Sequence, residues 1–446
     1  MVGVSLRGEI QMPSDDKPPG LLEIAFLTYG VIGQQGAVSS TIQFLQGKDE
    51  VTTVGVQSDP VNVFVVATTM AGLMFLFYLR PKILGRIAGL SPLILTACFI
   101  ALASSLWSDA KILVFKRAAE HLCSILLALY VPARLGFDGA MRLTARAIGI
   151  CAVLSLLAGL FVPRLGVMHS WGTYGRWKGI YAHKNPFAQA MGVGILLQYY
   201  LAVATHEKVW RLGVAALEIA LVVLANSATV LGVIVFATSA YGIFLLATRG
   251  GAIRPLVAMV GAPLAAAFAI VLICVPELFH TLSGRDSTLT GRTELWAWVW
   301  RIIQQRPFFG HGFQEFWDSG DPLVGTIWSA IGWPAPNAHN GFLEVALDLG
   351  ALGVLLVALV SVEALVRFVS LFSVPGALNQ AGASLIFLAA VVIHSGTEAV
   401  LFRQEDIDWL MVAFFSFAAA QTLASARRPS ARPLPNVLAR ARPLTA

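Results

Sequence analysis

Charge is scarce in this chain. Only 13% of its 446 residues are Asp, Glu, Lys or Arg, against 57% hydrophobic. A soluble core this apolar would have too little polar surface to cover it, and the bilayer is the solvent that fits. Cysteine is scarce as well. Cys98, Cys123, Cys151 and Cys274 all lie in apolar segments, with no CxxC or metal spacing, so they read as small core residues. No Walker motif, Rossmann glycine fingerprint, HExxH or GxSxG occurs, which argues against ATP hydrolysis and against zinc or serine-hydrolase chemistry. Internal repeats and a separate soluble domain are lacking, and no signal-peptide pattern precedes the first apolar stretch.

What the chain has is a series of apolar runs. They predict an all-α bundle of about twelve membrane helices. The runs are Leu21–Leu45 (weak), Val61–Leu79, Pro92–Leu106, Ile112–Val131, Ala147–Val162, Phe187–Ala204, Leu212–Leu224, Ala228–Ala247, Leu256–Val275, Phe342–Leu371, Ser384–Phe402 and Ile407–Ala424. The expected organisation is a polar segment over 1–20, nine helices over 21–275, a large loop over 276–340, three helices over 341–424 and a disordered basic tail over 425–446.

Lys and Arg concentrate in alternate loops: Arg80, Lys82 and Arg86; Arg134, Arg142 and Arg146; Lys208 and Arg211; Arg249 and Arg254; Arg367; and the arginine-rich tail. That bias predicts a bacterial inner-membrane protein with these loops and both termini in the cytoplasm. Two loops break the rule on the opposite, periplasmic side. Pro163–Pro186 carries Arg164, Arg176, Lys178 and Lys184, and Pro276–Asn340 carries Arg285, Arg292, Arg301 and Arg306. The formal charge of +6 is a topology signal rather than a nucleic-acid signal, but positive charge on the wrong side needs another reason, and anion binding is the obvious one.

Three constellations could carry chemistry. Trp177 to Pro186 packs Lys178, His183 and Lys184, after Arg176, against a helix start, which makes an anion site; an interfacial Trp/Lys anchor is the alternative. Thr288 to Trp296 offers Thr290 as an N-cap, Glu294 in a first turn and Arg292 as a phosphate ligand. That helix would run to about Arg306, its Trp296, Val299, Trp300 and Ile303 face lying along the membrane. Ala335 to Glu344, followed by Asp348, places His339 just outside an apolar run that contains two acids. Buried acids need partners or a wet cavity, and His339 could act as a base. Two more sets, Lys116, Arg117, Glu120 and His121, and the i,i+4 pair His394 and Glu398, fit structural ion pairs as well as a substrate path. Trp317, Trp328 and Trp333 suit sugar faces and lipid headgroups equally.

These residues resemble the O-antigen ligase/polymerase superfamily, above all its ExoQ-like exopolysaccharide members. The resemblance rests on an ordered set: Leu106-Trp107-Ser108 followed by Lys116-Arg117; Gly179-Ile180 with His183-Lys184-Asn185; Gly291-Arg292-Thr293 with Trp296; Pro307 to Phe313; His339-Asn340-Gly341-Phe342-Leu343-Glu344; and Leu349-Gly350. It covers roughly residues 90–420, and each motif alone is weak. The resemblance implies an inverting glycosyltransferase that needs no metal and no cofactor. Its donor would be an undecaprenyl-pyrophosphate-linked glycan in the bilayer, on the periplasmic side, and its acceptor a glycan or lipid-linked glycan. His339 and Glu344 would be catalytic. Arg292, Lys184, His183 and one of Arg176 and Lys178 would bind pyrophosphate, with Asn340, Glu294, Lys116, Arg117, His394 and Glu398 in support. A polymerase of repeat units, working with a chain-length regulator, is the leading reading; a ligase to lipid A-core is second. A twelve-helix flippase is the alternative from another class, though it should concentrate charge in a central cavity between two halves.

Overall fold

The computed structural model describes residues 18–47, 60–83, 91–170, 173–205, 207–248 and 292–427. Within them the chain is all-helical, apart from one isolated bridge between Val167 and Trp177. The helices are α1 (Leu21–Gly33), α2 (Ala37–Leu45), α3 (Pro60–Leu79), α4 (Pro92–Ala103), α5 (Lys111–Phe161), α6 (Pro163–Gly166), α7 (Lys184–Ala204), α8 (Lys208–Ala225), α9 (Ala228–Thr248), α10 (Arg292–Ile303), α11 (Pro322–Ile331), α12 (Gly341–Ser370), α13 (Leu378–Ser395) and α14 (Ile407–Arg427). Seven of these, α3, α5, α7, α9, α12, α13 and α14, are long and apolar enough to cross a membrane. The expected span Leu256–Val275, the Thr290 cap and most of the basic tail lie outside the described residues.

The helices are built for a lipid solvent. α3 carries no charged residue; it exposes Phe64, Phe75 and Tyr78 and buries Asn62 and Thr69 with Val65, Leu73 and Phe77. An apolar surface over a partly polar interior is stable only where the surroundings are hydrocarbon. The core centres on α14, buried continuously from Ile407 to Ala420 and packed against α5. At one end of the bundle Glu23 of α1 accepts from Arg80 and Arg134, both at 2.9 Å, and from the Tyr130 hydroxyl at 2.8 Å.

Three boundaries differ from the sequence expectation. The first apolar run is two helices, interrupted at Gln34-Gln35-Gly36, where Gln34 and Gln35 are buried and Gly36 takes a positive φ. The runs Ile112–Val131 and Ala147–Val162 join in α5 with no loop between them. The helix kinks there at a single residue, Gly136, at φ 71° and ψ −177°, four residues after Pro132. The last expected change is in Ser384–Phe402: α13 stops at Ser395, and Gly396 to Asp406 form a non-helical turn.

That turn and a break in α12 place the candidate site. Gly350 stands at φ 61° and ψ −155°, a region that only glycine occupies freely. The freed backbone groups are taken by the preceding loop. Ala351 N–H donates to the Pro307 carbonyl at 2.8 Å and Leu352 N–H to Phe308 at 3.1 Å. His311 and Gly312 N–H donate to Leu347 and Asp348 at 3.0 and 2.9 Å. A Cβ on Gly310 would sit 2.4 Å from the Asp348 carbonyl carbon, so the Pro-Phe-Phe-Gly-His-Gly-Phe and Leu-Gly motifs are two halves of one junction.

The loop residues also make their own small core. Leu295, Val299, Ile302 and Ile303 of α10 pack on Val324 and Ile327 of α11, on Phe316 and Trp317, and on Leu347 of α12. The face of α10 expected to lie along the membrane is therefore divided: Val299 and Ile303 are buried in this core with Leu295 and Ile302, and Trp300 is exposed.

Candidate active site

His339 is held by its backbone on both sides. Asn340 caps α12, its Oδ1 accepting from Phe342 N–H at 3.0 Å and Leu343 N–H at 3.1 Å. Such a cap satisfies donors that the first helical turn leaves free. The His339 N–H donates to Asn337 Oδ1 at 2.8 Å, and the residue adopts φ 47°. A left-handed conformation at a non-glycine residue costs roughly 1–3 kcal/mol, so the surroundings must hold it. They do so at Ala338, whose N–H donates to Glu344 Oε2 at 2.7 Å and whose carbonyl accepts from Trp296 Nε1 at 2.9 Å.

Glu398, in the turn after α13, gathers the site. Its Oε2 lies 2.8 Å from His339 Nδ1. Its Oε1 accepts from Arg292 Nη2 at 3.0 Å and from Asn185 Nδ2 at 3.3 Å. Arg292 Nη1 also donates to the Thr397 carbonyl at 2.6 Å. The side chains of His339, Glu398 and Arg292 keep 10%, 16% and 19% of their surface exposed, so the cluster is sheltered but open to a substrate.

Electrostatics set the protonation states. Burial raises the carboxyl of Glu398, but His339 and then Arg292 outweigh it and hold the group below the usual carboxylate range. An ionised Glu398 accepts the Nδ1 proton of His339 and leaves the Nε2 lone pair free, the tautomer that a general base needs. Burial lowers the His339 pKa; Glu398 works against this, and Arg292 and Arg403 add to the depression. The imidazole is therefore neutral at neutral pH.

The basic loop reaches the same place. His183 caps α7, its Nδ1 accepting from Asn185 N–H at 3.2 Å. Its pKa is pushed down to about 4, by burial first and then by Lys184, with Glu398 opposing and His339 and Lys178 adding. Lys178 and Lys184 are buried. The loop is anchored by Lys178 and Gly179 N–H, both donating to the Gly166 carbonyl, and by a close approach at Gly179, where a Cβ would sit 2.3 Å from Ser155 Oγ. Arg176 belongs to the hairpin just before it, its carbonyl accepting from Met168 N–H.

The structure thus brings together Lys178, His183, Lys184, Arg292, His339, Asn340 and Glu398, from segments far apart in sequence. Other candidates turn out differently. His394 and Glu398 do not share a helix face, because α13 ends between them; His394 Nδ1 pairs with Asp408 Oδ2 at 2.7 Å instead. Glu294 is exposed on the first turn of α10. Arg117 points away from α5 to the Gln314 carbonyl and Asp318, and Glu315 takes Ser108 and the Ala110 N–H. Lys116, its half-buried neighbour, stands on the same helix. Arg117 and the Leu-Trp-Ser turn therefore fasten the 307–318 loop. Glu344 is engaged as well, by Ala338 N–H, by Trp317 Nε1 at 3.3 Å and by Arg403 at 3.6 Å. Asn185 and Arg403 are residues of the site to which the sequence alone assigns no role. Asn185 lay within the basic motif, and Arg403 had no local signal, since its partner is distant in sequence.

Two comparisons bear on this geometry. The family model described as O-Antigen ligase matches residues 213–358, less than half of the chain, including Arg292, His339 and Glu344 but not Glu398. The exopolysaccharide production protein ExoQ of Rhizobium meliloti (strain 1021) is 27% identical over 269 residues, which cover 58% of this chain and 60% of that protein's length. With its seven long apolar helices the chain is a multi-pass membrane protein, and the two matches support the O-antigen ligase/polymerase superfamily, with a likeness to ExoQ.

Proposed function

We propose that this chain is a membrane glycosyltransferase that joins undecaprenyl-pyrophosphate-linked repeat units into exopolysaccharide or O-antigen, on the periplasmic face of the inner membrane. The observation that carries the reading is Glu398 bound at once to His339 and Arg292. One carboxylate then orients a neutral base and holds a cation beside it.

In this mechanism the acceptor hydroxyl attacks the anomeric carbon of the donor. The new oxygen–carbon bond forms as the carbon–oxygen bond to pyrophosphate breaks, with inversion. The hydroxyl proton passes to His339 Nε2, and undecaprenyl pyrophosphate leaves with the bonding electrons. Arg292 spends two of its five N–H donors on Thr397 and Glu398, so the others can meet the anionic leaving group. Lys178 and Lys184, with Arg176 on the adjacent hairpin, add positive charge from a second loop. Placing these groups on the periplasmic side rests on the Lys/Arg bias of the opposite loops.

The relative's printed name favours polymer production, while the family model's description favours a ligase that moves a finished glycan to an acceptor such as lipid A-core. A site built on loops and helix starts, with Lys178, Lys184 and Arg292 around the turn that carries Glu398, fits either transferase better than a flippase with a central cavity. The test is transfer by the purified protein in nanodiscs, supplied only with lipid-linked repeat units. Polymer together with released undecaprenyl pyrophosphate supports the polymerase. Transfer only when a separate acceptor is added indicates the ligase, and no transfer with either rejects both.

A further inference from the structure

The pair His394 and Asp408 lies outside the contacts just described. Both residues are buried, at 4% and 5% exposure, and they come from neighbouring helices. His394 Nδ1 meets Asp408 Oδ2 at 2.7 Å, while its Nε2 is buried with no hydrogen-bond partner. An unsatisfied polar atom in the interior is a cost that an apolar side chain would avoid.

The backbone of His394 shows what its side-chain tie to Asp408 holds in place. Its carbonyl accepts three hydrogen bonds, from Thr397 N–H at 3.0 Å, Glu398 N–H at 2.9 Å and Thr397 Oγ1 at 3.1 Å. These bonds set the turn that aims the Thr397 carbonyl and the Glu398 carboxylate at Arg292 and His339. Asp408 is fixed in turn, because Asp406 Oδ1 accepts from its N–H at 2.9 Å and Asp406 Oδ2 accepts from Gln189 at 2.9 Å. Gln189 stands one helical turn below Asn185, which contacts Glu398. His394 also lies near enough to Glu398 to favour its ionised form.

We propose that His394, held by Asp408, is a positioning residue for the reacting centre, acting through Glu398 and not on substrate. The inference rests on the transferase reading above. Glu398 and Asp406 face His394 from the turn, and Asp408 faces it from the start of α14. α7 offers uncharged Gln189, and α9 offers only Val230, Val233 and Ile234.

The experiment compares His394→Leu, His394→Asn and Asp408→Asn with the wild type in nanodiscs. In His394→Leu the backbone carbonyl keeps its bonds but the side-chain tie to Asp408 is lost, so the turn is free to shift, and kcat should fall by roughly 10²-fold, the scale of a small misplacement, while KM for the lipid-linked donor holds. The acid limb of the rate should move to lower pH, because a displaced Glu398 no longer raises the pKa of His339. His394→Asn, whose amide can donate to Asp408 in place of Nδ1, should recover part of the rate. Unchanged kcat and acid limb in His394→Leu would overturn the proposal, as would a raised KM at constant kcat, which indicates a substrate contact. If His394→Leu does not fold, Asp408→Asn carries the same comparison. NMR titration of the His339 imidazole makes the test without turnover. A lower pKa in the variants supports the proposal, and an unchanged one overturns it. A wild type that transfers nothing defeats the transferase reading and leaves this titration to judge the positioning role.

Discussion

Glu344 Oε2 accepts the backbone N–H of Ala338 at 2.7 Å, so the first turn of α12 holds the residue next to His339. The same oxygen takes the Trp317 indole at 3.3 Å. Under the proposed mechanism Glu344 is a clamp on the His339 loop and not the base. Gln offers one carbonyl oxygen that can keep both bonds. Glu344→Gln should retain transfer within about one order of magnitude, whereas loss of a true general base costs about 10²–10⁴-fold. Glu344→Ala should lose both activity and thermal stability. Rates and melting temperatures of the two purified variants check this.

Arg292 makes two protein contacts through two different nitrogens, to Thr397 and Glu398. Lys has a single nitrogen and cannot span them while also meeting an anion. Arg292→Lys should therefore lower transfer by at least about 10²-fold, the scale of removing one aimed donor from a reacting centre. Normal protein levels with near wild-type polymer yield would remove Arg292 from the mechanism.

The pH dependence has a definite sign. As pH falls, His339 gains a proton and ceases to be a base. Burial, helped by Arg292 and Arg403 and opposed by Glu398, holds its pKa below the ordinary 6.5. The acid limb of kcat/KM should therefore have its midpoint below 6.5. Glu398→Gln removes the anion that opposes the depression, so the limb should move lower still while the maximal rate drops. A limb at or above 6.5 in the wild type contradicts this protonation scheme.

Gly350 is a structural test away from the chemistry. Its φ of 61° and ψ of −155° exclude other residues, and a Cβ would lie 2.5 Å from the Phe308 carbonyl carbon. Gly350→Ala should destabilise the protein by at least about 1–3 kcal/mol. Thermal unfolding in detergent reads the shift. An unchanged melting temperature would mean that the junction of the 307–312 loop with α12 does not hold the fold.

Much of the helical framework was legible because lipid-facing helices are apolar around most of their circumference, as α3 and α9 are. The boundaries that were missed turn on single residues. Gly136 kinks the chain within α5 without a loop, and Gly396 ends α13 inside an apolar run. Gly396 was a readable stop signal, but the apolar residues Ala399 to Phe402 masked it. His339 and Arg292 were legible from local context, a capped helix start and a cation on the unexpected side. The role of Glu398 was not, since its partners lie 59 and 106 residues away in sequence. The same holds for Arg117, whose partner Asp318 is 201 residues distant and which ties down the 307–318 loop.

The most direct test of the account is single-turnover transfer by purified His339→Gln and Glu398→Gln proteins in nanodiscs, beside the wild type, with donor binding measured separately. If His339 is the base that Glu398 orients, both variants bind the lipid-linked donor. His339→Gln then transfers at least about 10²-fold more slowly, and Glu398→Gln falls between it and the wild type. Correctly folded His339→Gln protein that forms polymer at the wild-type rate would contradict the account.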